Sequence, residues 1–110
     1  MAAAWSLPRE REWVAERLGV KHRERDRLSQ RLAAMQDVVA AERDDVDRLA
    51  VGARGLVRRI AVGEDEHARA HRELCDAVEL RDALVAELSA LDDEIGRLEA
   101  RAAKLQLADP

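Results

Sequence analysis

The segment LVAELSALDDEIGRLEARAAKL, residues 84–105, decides the fold. Leu84, Leu88, Leu91, Ile95, Leu98, Ala102 and Leu105 recur at alternating steps of four and three. That spacing lays one apolar seam along a helix, and such a seam is buried only against another helix. The same step runs back toward the N-terminus through Arg81, Ala77, Leu74, Ala70 and His67. The helix is therefore expected over 64–107, with Glu64, Asp65 and Glu66 in its first turn, where acids suit the positive end of the helix dipole.

The partner seam lies upstream. Val14, Leu18, Lys21, Arg25, Leu28, Leu32, Met35, Val39, Glu42, Val46 and Leu49 keep the four–three step without a slip. This predicts a helix over 7–50, with Ser6 as its N-cap and Pro8 in the first turn, where a missing N–H leaves no intrahelical bond unmade. Lys21, Arg25 and Glu42 are the three charged layers of the seam. They read either as devices that fix register and partner or as long side chains whose heads reach water past a narrow seam. Gly19 lies beside this seam and costs about 1 kcal/mol relative to Ala.

Between the helices, VGARGLVRRIAVG (residues 51–63) contains Gly52, Gly55 and Gly63 and reads as a turn. Its apolar residues Leu56, Val57, Ile60 and Val62 are expected to fold over the end of the pair. A short connection makes antiparallel neighbours. In such a pair, facing residue numbers share a constant sum, and 116 matches the two seams throughout: Leu18 with Leu98, Leu28 with Leu88, Leu32 with Leu84. Residues 9–31 carry net +3 and lie opposite a stretch that includes residues 87–99, which carry net −4. Arg25 falls near Asp92, although the same register also brings Glu24 near Glu94 and Asp45 near Glu73. The expected fold is all-α: one domain, 1–110, forming a long antiparallel two-helix coiled-coil hairpin with a short capping turn at the tip.

Composition supports that shape and excludes others. Charged residues make up 38% of the 110-residue chain and aromatics 2%, with Trp5 and Trp13 the only large rings. Such a chain suits long helices better than a round core. Net charge is −4 with both signs interspersed, so a dedicated nucleic-acid binder is not expected. No stretch approaches the roughly 20 apolar residues of a membrane span, and the N-terminus does not read as a secretory signal. Cys75 has no partner for an internal disulfide, so a reducing, cytoplasmic setting is expected.

Function is then expected in the faces. Val38, Val78, Leu80 and Val85 widen the apolar strip beyond the seam, and a wider stripe asks for a further helix. Oligomerisation, or docking on a larger protein partner, is the reading this supports, for a non-enzymatic structural, adaptor or assembly protein with no cofactor and no small-molecule substrate. Trp13 reads either as an interaction anchor or as packed against Trp5 and Leu107.

Three other constellations carry alternatives. Glu64, His67, His71 and Cys75, at steps of three, four and four, share a helix side, and Glu-x-x-His is the half-motif of carboxylate di-metal bundles. The plainer reading makes Glu64 a helix-start acid, the histidines ordinary polar residues and Cys75 a small apolar filler. Cys75 with His71 could serve nucleophilic chemistry only in a pocket that a narrow seam does not offer. Arg54, Arg58 and Arg59 at the tip could touch nucleic-acid or lipid phosphate, or simply face water.

Residues 42–49, Glu-Arg-Asp-Asp-Val-Asp-Arg-Leu, followed by a glycine-bearing apolar segment and an acidic helix start, resemble a family of bacterial coiled-coil hairpin proteins with a Glu-Arg-x-Asp-Val-x-x-Leu run before the tip. The resemblance covers residues 40–80 and implies a helical hairpin with no catalytic residues. The chain departs from that family at Leu56 to Ile60, where aromatic residues often occur. Length and topology are also similar to the small secreted WXG100-type hairpins of actinobacteria, although the turn has no Trp-x-Gly and the C-terminus no Tyr-containing export signal.

Overall fold

A computed structural model describes the backbone over residues 6–54 and 60–107, and the side chains over 6–50 and 66–107. The chain is an all-α helical hairpin of two helices, α1 (Leu7–Arg54) and α2 (Ile60–Leu107), 48 residues each. The start of α1 follows from its first residues. The Ser6 hydroxyl accepts a hydrogen bond from the Arg9 amide at 3.3 Å, and the Ser6 carbonyl accepts one from the Glu10 amide at 2.9 Å. Ser6 thus covers amides that have no helical carbonyl behind them.

Both helices run further toward the tip than the expected boundaries of 50 and 64. α1 continues through Val51, Gly52, Ala53 and Arg54, and α2 begins at Ile60 rather than Glu64. Each residue added to an existing helix gains a backbone hydrogen bond, and a glycine lowers that gain by about 1 kcal/mol without abolishing it. Consequently Glu64, Asp65 and Glu66 lie beyond the first turn of α2, which holds no acidic residue. The expected cap by Leu56 and Val57 lies outside the described residues, as do Trp5, Arg58, Arg59 and Pro110.

The chain divides into two units, each made of both helices: one combines residues 6–29 with 86–107, the other residues 30–54 with 60–85, among those described. In the first unit the buried residues are Val14, Leu91, Ile95 and Leu105. In the second they are Val39, Ala70, Ala77 and Leu84. All eight are seam positions, and Val14 is the most enclosed of them, at 1% exposure. The remaining seam positions with described side chains are half-buried, except Arg25, which is exposed. A seam one residue wide leaves most side chains in partial contact with water, since each helix has only one neighbour to cover it.

The antiparallel register is visible within the first unit. Arg11 meets Leu105, on the expected register, and Lys21–Glu94 and Arg25–Asp92 lie within one residue of it. In the second unit, Glu42 faces Glu73, again within one residue.

Candidate functional site: two charged grooves and their flanks

The three charged seam layers have different fates. The Lys21 side chain is only 16% exposed, and its ammonium turns out of the seam to lie 2.9 Å from Glu94 and 3.6 Å from Glu24. The like-charge meeting of Glu24 and Glu94 is therefore bridged by a cation. The Glu94 contact holds the Lys21 pKa above its ordinary value and the Glu94 pKa below its own. Glu94 Oε2 is buried, and Lys21 stands against it at ion-pair distance. Arg25 escapes the seam and pairs with Asp92 at the surface. Glu42 does neither. Its Oε2 is buried with no hydrogen-bond partner, and burial, followed by the charges of Glu73 and Asp45 and a hydrogen bond with Glu73, pushes its pKa up.

Around Lys21 the first unit forms an open groove of about 260 Å³, lined by Trp13, Arg17, Lys21, Glu94, Arg97 and Arg101 over Leu98. The Arg101 guanidinium carbon lies 5.5 Å from the Trp13 ring centre, a cation–π distance, and the same guanidinium pairs with Glu10. Trp13 thus serves as a platform for an arginine of α2. It does not pack on Leu107, which is 86% exposed. The expectation of a Trp13–Leu107 contact is corrected for a geometric reason: Leu107 lies two residues past the buried Leu105 and faces away from the seam.

Near Glu42 the second unit forms a larger open groove, about 470 Å³, lined by Asp45, Arg48, Glu66, Arg69 and Glu73 over Leu49 and Ala70. Asp45 is paired with Arg48 along its own helix. Carboxylates outnumber guanidiniums here, the reverse of the first groove.

The predicted apolar strip divides. Val38 and Leu80 each precede a seam residue, Val39 and Arg81, whereas Val78 and Val85 each follow one, Ala77 and Leu84. In an antiparallel pair these are opposite flanks of the seam. Val38 is 44% exposed, Leu80 56% and Val85 47%. Val78 is half-buried.

The histidine cluster is only partly assembled. His67 and His71 rings lie 6.2 Å apart, and Cys75 Sγ is 3.6 Å from His71 Nδ1. Cys75 is exposed, so it is not the apolar filler that its place in the sequence suggested. It follows the seam residue Leu74 by one step, which turns it off the buried stripe. Among the described residues no group of three or more His, Cys, Asp or Glu side chains could hold a metal ion. The side chains of Glu64 and Arg54 lie outside those described, as do Arg58 and Arg59. No described helix is long and apolar enough to cross a membrane. Sequence reading missed both grooves, although the register that brings Arg25 to Asp92 also brings Arg17 and Arg101 to one side of the pair. No family model, curated protein or solved structure matches the chain.

Proposed function

We propose that the protein is a non-enzymatic assembly module, a coiled-coil hairpin of the bacterial cytoplasm that works by binding further copies of itself through its flanks. The observation that carries this reading is the exposure of Val38, Leu80 and Val85 beside a seam that is already filled by the partner helix. These side chains have nothing left to pack on within the pair, and an apolar flank of a paired helix is covered by a third or fourth helix. Two hairpins forming a four-helix bundle is the simplest arrangement that does so. The resemblance of residues 42–49 to bacterial coiled-coil hairpins agrees with it, and the unpaired, exposed Cys75 agrees with a reducing compartment.

The test is light scattering on size-exclusion fractions, with metals assayed on the same fractions. A dimer or larger species that persists without bound metal supports the proposal. A monomer at every concentration, or stoichiometric metal lost on His67→Ala, contradicts it.

A further inference from the structure

The two grooves differ in the sign of their charge, and each has an apolar floor. In the first, Arg17, Lys21, Arg97 and Arg101 surround a single carboxylate, Glu94, over Leu98, with the Trp13 ring at the edge. In the second, Asp45, Glu66 and Glu73 surround Arg48 and Arg69 over Leu49 and Ala70, with the half-buried Glu42 beside them. We propose that the basic groove of one copy receives the acidic groove of a second copy, and that this contact directs the self-association on which the proposed function rests.

Three observations favour a second copy as the occupant. The first is charge complementarity. Lys21 already neutralises Glu94, Arg101 is paired with Glu10, and Arg48 already neutralises Asp45, which leaves Arg17 and Arg97 on one side and Glu66 and Glu73, with Arg69 between them, on the other. The second is the anchor. An indole half-exposed at a groove edge, stiffened by a guanidinium on its face, is suited to cover an apolar floor such as Leu49 and Ala70. The third is net charge. Two copies at −4 each repel at long range, and facing opposite local charges offsets that repulsion. Such complementary patches set which surfaces meet and speed their encounter. Reciprocal use of both grooves closes a pair, and one-way use makes a chain.

The experiment uses the full chain and two charge reversals at exposed residues, R17E/R97E and E66R/E73R. Sedimentation equilibrium measures association, with circular dichroism as the check on helix content. The proposal expects each variant alone to associate at least roughly tenfold more weakly than wild type, because each then carries two like-charged grooves. An equimolar mixture is expected to recover association as a heteromer, because each acidic groove again finds a basic one. If either reversal lowers helix content, R17Q/R97Q and E66Q/E73Q replace it, and both neutral pairs are expected to weaken association and flatten its salt dependence. Wild-type-like association of both folded variants overturns this contact while leaving self-association standing. Failure of the mixture to recover overturns it too. A wild-type chain that never associates removes the underlying reading as well.

Discussion

Arg11 of α1 donates two hydrogen bonds to the backbone carbonyl of Leu105 in α2, from Nη2 at 2.8 Å and from Nε at 3.3 Å. Leu105 is in the last turn of its helix, where carbonyls have no amide ahead of them. A side chain from one helix therefore caps the other, and it does so at a buried seam position. Replacing Arg11 with Ala is expected to destabilise the hairpin by about 1 kcal/mol. The loss should be concentrated in the last turn of α2, and amide hydrogen exchange of Lys104 to Leu107 would show it. Unchanged protection there would mean that the cap carries no energy.

Gly19 and Gly96 interrupt otherwise good helix. A Cβ added at Gly19 would meet Arg23 Nη1 at 3.6 Å, an ordinary contact, and one added at Gly96 would meet nothing within 4 Å. Neither position has a positive φ. Gly19→Ala and Gly96→Ala are each expected to stabilise by about 0.5–1 kcal/mol, since alanine loses less backbone freedom on folding. Urea unfolding followed by circular dichroism measures this.

The buried face of α2 should be costly to trim. Ile95 is 5% exposed, and Ile95→Ala is expected to cost about 2–4 kcal/mol through lost burial and the cavity left behind. The same change at the exposed Val85 should alter monomer stability by no more than about 0.5 kcal/mol. A comparable cost at both positions would place the seam elsewhere.

Glu42 gives the second unit a defined pH response. Its pKa in the fold lies above the ordinary 4.5, so the folded state holds this proton more tightly than the unfolded chain. Its contribution to stability is fully present below the unfolded value and is lost as pH rises through the folded one. Glu94 has the opposite sign: its pKa is depressed by Lys21, and its contribution is lost as pH falls below the ordinary 4.5. Glu42→Gln should remove the decline above that value and make the chain more stable at neutral pH, as read from thermal midpoints across pH. An identical pH profile for wild type and variant would show that Glu42 does not set the response.

The seam residues were legible because they obey one spacing rule: Val14, Val39, Leu84, Leu91, Ile95 and Leu105 were all named by period and are all buried. The Ser6 cap was equally legible, being a local matter of one hydroxyl and one amide. The helix ends near the tip were not. Glycine marks a local preference, whereas helix length near Gly52 and Gly63 is decided by cooperative extension. The charged layers were ambiguous for a related reason. Lys21, Arg25 and Glu42 share the same seam, but each outcome depends on what the other helix presents: Glu94 for Lys21, Asp92 for Arg25, and Glu73 for Glu42. Cys75 and the Trp13–Arg101 stack depend on rotation about the helix axis, which a two-letter apolar–polar pattern resolves only coarsely.

The most direct test of self-association is sedimentation velocity from micromolar to millimolar concentration, with wild type run beside the triple substitution V38S/L80Q/V85S. Wild type is expected to form a dimer or larger species, and the variant a monomer of unchanged helix content. Two indistinguishable monomers across the whole range would contradict self-association.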